Sequence, residues 1–474
     1  MRILFVAAEV APFAKTGGLA DVALGLPRAL ASLGADVLVV MPKHRSVAAK
    51  AELREAARFT VPVSGQAKDC IAFRGTLPES KVPIYFLGND AYFDRSAIYG
   101  EVSEYPDALE RFTFLSRGAL ELCEALGWSP DIVHANDWHT ALLPAYVKSL
   151  GLARSKGAKT VLTIHNLAYQ GAFPCSQAGT IGLTGADLEP CLRGDQVNLL
   201  RGGILTADLV NTVSPTYAKE ILEHGDGLEA ELRSRANALY GVLNGIDTTV
   251  WNPAADPLLW ATYTRKNLAG KARNKELLQK ELGLTVDSRA PLVGTISRLA
   301  EQKGFDLIMP AFDRLLDLGI QFVVLGSGAP EYERFFREAA ERYRGRVAAL
   351  ITFSEEWAHR IEAASDIFLM PSRFEPCGLN QQYSLAYGTV PVVRATGGLR
   401  DTIVDVGSDK RRGNGFSFEA YTADEMLGAL ARAVTLYRDD PRGWRDIVMK
   451  GMDQDLSWEN SAKAYRDLYR KLGR

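Results

Sequence analysis

Lys15-Thr16-Gly17-Gly18-Leu19-Ala20-Asp21 is the stretch whose reading decides the fold. It follows the apolar run Ile3-Leu4-Phe5-Val6-Ala7-Ala8, which reads as a buried strand. It precedes a helical pattern through Leu24, Leu26, Ala29, Leu30 and Leu33 that stops at Gly34. Two glycines between strand and helix let the backbone approach a ligand, and the helix N-terminus aims its free N–H groups at that spot. Lys15 adds a mobile positive charge. By chemistry this is an anion site. The plainer alternative is a tight turn with a solvated lysine.

The stretch has an echo in Thr396-Gly397-Gly398-Leu399-Arg400-Asp401. Both read T-G-G-L-x-D, follow a strand-like run and open a helix-like run. Two such turns in opposite halves suggest two related α/β units, each pointing a helix N-terminus at a shared ligand.

A chain of 474 residues suits two domains of about 200 residues or more. Apolar content of 47% and charged content of 24% are those of a soluble globular protein. A net charge of −2 gives no general attraction to nucleic acid or to an anionic membrane. No run is long and apolar enough to predict a membrane span, and Glu9 ends the first apolar run too early for a signal peptide. Cys70, Cys123, Cys175, Cys191 and Cys377 are odd in number and widely spaced, as expected of free thiols in the cytoplasm.

Strand candidates in the first half cover 3–8, 36–41, 82–87, 131–134, 160–164 and 209–213, with helical patterns between them at 107–126 and 141–150. Such alternation predicts a parallel, doubly wound sheet. The stretch 171–201 is rich in Gly and polar residues and reads as decoration of a cleft. A second series has strands at 292–296, 321–325, 348–351, 367–370 and 390–393 and helices at 305–317, 330–343 and 358–364. The boundary falls near 241–250, where Asn244-Gly245 and Asn252-Pro253 are turn signals. The expected domains are 1–241 and 242–456, followed by a helix at 457–472.

In such sheets ligands bind at the carboxyl ends of strands, near a topological switch point. The polar residues placed there are Lys15, Gly17 and Gly18; Asn136, Asp137, Trp138 and His139; His165 and Asn166. From the second half they are Ser297, Arg298 and Lys303; Glu375, Cys377 and Gly378; Thr396, Gly397 and Gly398. All fall where one inter-domain cleft would lie. Three cations, Lys15, Arg298 and Lys303, with two Gly-Gly turns suit a diphosphate. The only Asp-x-Asp, Asp453-Gln454-Asp455, leads into the last helix, so no metal and no cofactor is expected. His134, His139 and His165 match no common zinc spacing. Asp137 reads as a helix N-cap or a site carboxylate, and Trp138 as a sugar-stacking ring or core. Glu375 suits sugar hydroxyls and positive charge at a sugar carbon, or an ion pair with Arg373. Cys377 has no histidine placed to activate it and reads as a wall residue.

These residues resemble a known family, the bacterial glycogen synthases and plant starch synthases. The matching segments are 15–22, 134–139, 163–171, 243–247, Ser297-Arg298-Leu299, Gln302-Lys303-Gly304, 371–379 and 396–399. They run in order over nearly the whole chain. The resemblance implies a retaining glucosyltransferase of GT-B fold, with two Rossmann-like domains and a C-terminal helix that returns to complete the first with 457–474. It implies that Arg298 and Lys303, with Lys15, Gly17 and Gly18, hold the donor diphosphate. Asp21 and Asn244 would line the nucleotide side, and Phe353 would stack near the adenine, although Thr352 stands where the family often has Gly. Glu375 with Cys377, Gly378 and Leu379 would hold the glucose hydroxyls, beside Thr396, Gly397 and Gly398. His165 would sit over the glucose and Asp137 near the reacting centre. Glu9, Trp138, His139 and Asn166 would lie on the acceptor side. Wider GT-B families often carry a second Glu eight positions after the first; here Tyr383 stands there, as in the synthases.

The implied reaction is transfer of glucose from ADP-glucose to the non-reducing end of glycogen or another α-1,4-glucan primer, with retention, in the cytoplasm. UDP-glucose or another acceptor is the first alternative. A glucan-binding protein with a dead site is the second. A glucan phosphorylase would be longer and carry pyridoxal phosphate.

Overall fold

The computed structural model describes residues 1–100, 103–409 and 411–473. The chain divides into two compact α/β units, Met1–Gly245 with Trp458–Arg474, and Ile246–Ser457. Strands of the first unit are β1 Arg2–Val6, β2 Asp36–Pro42, β3 Arg54–Val63, β4 Gln66–Thr76, β5 Pro83–Gly88 and β6 Ile132–Asn136. They continue with β7 Lys159–Ile164, β8 Ala172–Pro174, β9 Leu192–Arg193, β10 Gln196–Asn198, β11 Leu209–Thr212 and β12 Leu239–Gly241.

Nine of them form one sheet in the order β12-β11-β7-β6-β1-β2-β5-β4-β3. It is parallel from β12 to β5. The reason is visible in β1. Ile3 and Phe5 enter the core on one face, and Leu4 and Val6 the core on the other. A strand buried on both faces is apolar throughout rather than alternating. β1 lies between β2 and β6, so the connections leave it in opposite directions. That is the switch point, and the ends of β1 and β6 carry its crevice.

Two features depart from the expected pattern. β3 and β4 are an antiparallel hairpin at the sheet edge, turned by Ser64 and Gly65, both at positive φ. Their residues are half-exposed and partly charged, which hides the strand signal. The stretch 171–201, for which the sequence pattern predicts no elements, holds the small sheet β8-β10-β9 and short helical turns.

The helix Trp458–Lys471 packs on the helix Gly18–Ser32 of the first unit. Trp458, Ala462, Tyr465, Leu468 and Tyr469 join the same core as Leu19, Val22 and Leu26. A Cβ at Gly25 would stand 2.1 Å from the Trp458 ring nitrogen, so glycine permits this approach. The Tyr465 hydroxyl accepts from Asn211 Nδ2 at 3.0 Å, and the Tyr469 hydroxyl meets His134 Nδ1 at 2.7 Å.

The second unit holds β13 Leu292–Ile296, β14 Gln321–Leu325, β15 Val347–Leu350, β16 Ile367–Met370, β17 Val390–Arg394 and β18 Phe416–Phe418. They form a parallel sheet in the order β15-β14-β13-β16-β17-β18, with its switch point between β13 and β16. The helix expected over 305–317 is two, Phe305–Ile308 and Phe312–Asp317. Pro310 lies between them, and proline lacks the N–H a continuous helix needs. Among the described residues no helix is long and apolar enough to cross a membrane.

Candidate functional site

The switch point of the first unit collects the residues after β1, β6 and β7. The helix Gly18–Ser32 begins there with Gly17 at its N-cap. Lys15 Nζ donates to Asp21 Oδ1 at 2.8 Å, an exposed pair. A Cβ at Gly17 would meet nothing within 4 Å, so the turn's outer side is open. Its inner side rests on Glu9, whose Oε2 accepts from the N–H of Thr16 and, at 3.3 Å, of Gly17. Tyr99 donates its hydroxyl to Glu9 Oε1 at 3.1 Å.

Asp137 follows β6 at φ 55° and ψ −176°, a backbone state that costs a non-glycine residue about 1–3 kcal/mol. Its side chain does not cap the turn that follows. Instead Oδ1 accepts the backbone N–H of His165 at 2.7 Å and of Asn166 at 3.4 Å, tying β6 to the end of β7. Burial pushes the Asp137 carboxyl up to about 7, against the pull of those N–H groups. His165 Nε2 meets Asn136 Oδ1 at 2.9 Å. Asn136 Nδ2 donates to the Val6 carbonyl, which fixes the amide so that Oδ1 is the acceptor. The network therefore assigns the proton to Nε2 and leaves Nδ1 as an acceptor. Burial holds the imidazole down to about 3, so it is neutral.

Trp138 and Glu9, expected on the acceptor side, are both buried in this structure. Trp138 is only 3% exposed. Its ring stacks on His139 at 4.1 Å, takes the edge of Phe112, and lies under Gly171, where a Cβ would come within 2.3 Å. These contacts bury most of the ring and seat it against the 165–171 loop. Glu9 is likewise 3% exposed, with both oxygens engaged inside the protein. His139 is buried between Trp138 and Tyr99. Asn166 accepts from the Ala168 N–H at 3.1 Å, and Asn244 is buried. His134 spends its ring nitrogens on Tyr469 and Thr163, a structural role. Among the described residues no group of three or more His, Cys, Asp or Glu is arranged to hold a metal ion.

The switch point of the second unit brings together residues after β13, β16 and β17. Lys303 Nζ donates to Glu375 Oε1 and Oε2 at 2.9 and 2.7 Å, and Ser372 Oγ donates to Oε2 at 3.0 Å. Glu375 is 6% exposed, so the pair is screened little by solvent. Arg373 does not pair with Glu375; it turns to Glu301 and Asp306. Gly304 at φ +83° ends the turn that carries Lys303, with no room for a Cβ against Pro371. Arg298 is exposed beside Gln302, 3.4 Å away. Phe353 follows β15 and is 85% exposed.

The second Gly-Gly turn is unlike the first. A Cβ at Gly397, φ +46°, would lie 2.0 Å from the Glu375 carbonyl, and one at Gly398 would lie 2.0 Å from the Cys377 carbonyl. The Gly398 N–H donates to the carbonyls of Glu375 and Pro376. That N–H is thus engaged within the protein. Thr396 stands at the N-cap position of the helix Gly397–Thr402, and its own N–H donates to the Arg394 carbonyl. Gly378 sits at φ +72° and Leu379 at the start of the helix Asn380–Ala386, with Cys377 buried beneath. Tyr383 stacks on Trp251 at 3.7 Å, and His359 covers the other face at 3.8 Å.

A residue the sequence reading passed over is Tyr99, which holds the buried Glu9. No motif marks it, because its partner lies 90 positions away in the chain.

Two α/β units, each with charged side chains gathered at the switch point of its sheet, have the architecture of GT-B glycosyltransferases. Residues 2–234 match the family model for the starch synthase catalytic domain, and residues 280–444 that for glycosyl transferases group 1. The chain is 50% identical to the glycogen synthase of Anaeromyxobacter dehalogenans strain 2CP-C over all of both chains. It is 45% identical to that of Syntrophotalea carbinolica over 99% of each. The catalytic domain of starch synthase IV from Arabidopsis thaliana, solved with ADP and acarbose, superposes with a TM-score of 0.91. It shares 38% identity, over 100% of this chain and 99% of that one. The chain belongs to the glycogen and starch synthase family and is a glucosyltransferase, with nucleotide-sugar and glucan partners.

Proposed function

We propose that the protein moves glucose from ADP-glucose to the non-reducing 4-hydroxyl of an α-1,4-glucan such as glycogen, with retention, and that it acts in the cytoplasm. The observation that carries the reading is the Lys303–Glu375 pair at the second switch point. Lysine has three donors, and two lie on Glu375, so the third can serve a phosphate oxygen without breaking the pair. Arg298 would add a bidentate contact to the same diphosphate. As the sugar–phosphate bond loosens, negative charge grows on the leaving group and positive charge on the sugar. Lys303 and Arg298 would meet the first, Glu375 the second. The departing phosphate oxygen would accept the proton of the incoming 4-hydroxyl.

The first unit would supply His165 and Asp137. With its proton on Nε2, His165 presents Nδ1 as an acceptor, the complement of a glucose hydroxyl. Asp137 would act by holding the His165 backbone in place. Lys15, Gly17, Gly18 and Asp21 would serve the donor's phosphate and nucleotide end, with Asn244. The exposed Phe353 ring would stack on the adenine, beside Cys377, Gly378 and Leu379 at the glucose. The complex of the Arabidopsis relative with ADP supports an adenine donor. Five free cysteines, four of them buried, support a reducing compartment.

The test is a donor panel of ADP-glucose and UDP-glucose on a glycogen primer. ADP-glucose is expected to give chain extension and release of ADP. Preference for UDP-glucose would overturn the donor assignment, and absence of any nucleotide release would favour a glucan-binding protein without activity.

A further inference from the structure

A buried carboxylate holds the turn that presents Lys15. Glu9 leaves β1 at the switch point and is almost wholly enclosed. One oxygen takes the consecutive N–H groups of Thr16 and Gly17, and the other takes the Tyr99 hydroxyl. Consecutive backbone N–H groups converging on one anion form the kind of concavity that also binds phosphate. Here the protein's own side chain fills it from within. The lysine beside it is likewise matched by a side chain of the same turn, Asp21. The turn thus carries two internal anions on the donors that would otherwise face a ligand's charge.

We infer that Glu9 is a positioning residue for the donor: it sets the shape of the Lys15–Gly18 turn through the Thr16 and Gly17 N–H groups, and its charge sets how strongly that turn attracts a diphosphate. The inference rests on the reading of the protein as a nucleotide-sugar transferase.

The surroundings fix the sign. Tyr99 faces Glu9 from one side, Asp21 from the helix that follows the turn, and Asp137 from the end of β6, while Lys15 pairs with Asp21. Behind Tyr99 lie His139 and Arg111. Burial pushes the Glu9 carboxyl up to about 7; the Thr16 and Gly17 N–H groups and the Tyr99 hydroxyl pull it down, and Asp21 raises it. His139 and His165 are held neutral by burial across this range. Asp137 titrates in the same window, but its bonds go to His165 and Asn166 rather than to the turn. The diphosphate of a nucleotide sugar is esterified at both ends, so it lacks the proton with pKa near 6 that a phosphate monoester carries. Ionised Glu9 opposes the donor's charge, and neutral Glu9 does not. Donor affinity should therefore weaken as pH rises through about 7.

The experiment measures donor KM with saturating glycogen, and the dissociation constant of ADP-glucose by calorimetry, across this window for the full chain. For the wild type we expect both constants to rise roughly fivefold to tenfold from low to high pH, the size of a typical coupling between two sites. Glu9→Gln keeps the acceptor for the turn and loses the charge, so its constants should stay flat near the wild type's low-pH values. Glu9→Ala leaves the N–H groups without their partner, and its constants should rise at every pH. Tyr99→Phe removes a bond that favours ionised Glu9, so its transition should move to higher pH. A Glu9→Gln variant that titrates like the wild type overturns the inference, as does one that loses kcat while its donor constants keep the wild-type profile. A wild type that binds ADP-glucose with this profile but transfers nothing overturns the transferase reading and leaves the role of Glu9 standing. A wild type that does not bind it overturns both.

Discussion

The two T-G-G-L-x-D turns share a signature and differ in what surrounds them. At Gly17 the space around the Cα is open, and the turn is held from inside by the Glu9 side chain. At Gly397 and Gly398 backbone carbonyls of Glu375 and Cys377 approach to within 2.0 Å of where a Cβ would stand. The first pair of glycines leaves a surface accessible. The second lets two backbone segments touch, and so fixes the segment that carries Glu375. One sequence pattern therefore serves two purposes, access in one unit and close packing in the other. The difference lies in which neighbours the fold supplies.

The sharpest way to break this contrast is at the side chain that the packed turn supports. Lys303→Ala removes the partner of Glu375 and a cation for the leaving group; kcat should fall about 10²- to 10³-fold, the cost of losing one charge-stabilising donor. Donor KM should rise much less, because that charge grows in the transition state. A change confined to KM would refute the role given to Lys303.

Gly397→Ala should be next. Its φ of +46° and the Glu375 carbonyl both oppose a methyl group. We expect a loss of roughly 2–4 kcal/mol from backbone strain and overpacking together. It should appear as a drop in the melting temperature, together with lower kcat from a displaced Glu375. If Gly397→Ala melts like the wild type, the packed turn is not what holds that segment.

At the open turn the effects should be smaller. Lys15→Gln should raise donor KM about two- to fivefold, the scale of an exposed ion pair, and leave the melting temperature unchanged. Gly17→Ala should be the mildest for stability, under about 1 kcal/mol, since its Cβ meets nothing. Thermal melts of Gly17→Ala and Gly397→Ala side by side would measure the comparison directly. Equal shifts would erase it.

Much of the architecture was legible in the chain. β13, β14 and β16 fall on the strands read from their apolar runs, because a strand buried on both faces leaves an uninterrupted signal. The edge hairpin β3–β4 was not legible, because one of its faces is solvated and its alternation is diluted by charge. At the two switch points the structure brings Lys303 to Glu375 and His165 to Asp137. What each one does there was less legible. Trp138 has the composition of a sugar platform and the environment of a core residue. Arg373 stands two positions from Glu375, yet the lysine 72 positions away takes the ion pair.

The sequence by itself determined the strand–helix alternation, the placement of polar residues at the carboxyl ends of strands, and the family. These follow from local rules: the period of apolar residues, the backbone freedom of glycine, the missing N–H of proline. The tertiary structure alone decided which donor meets which acceptor. Tyr99 reaches Glu9 across 90 positions, and Tyr465 reaches Asn211 across 254. It also decided which of two turns with the same T-G-G-L-x-D pattern is open. The physical reason is that burial and hydrogen-bond partnership belong to neighbours in space. A buried carboxylate or a crowded glycine acquires its character only when distant segments close around it.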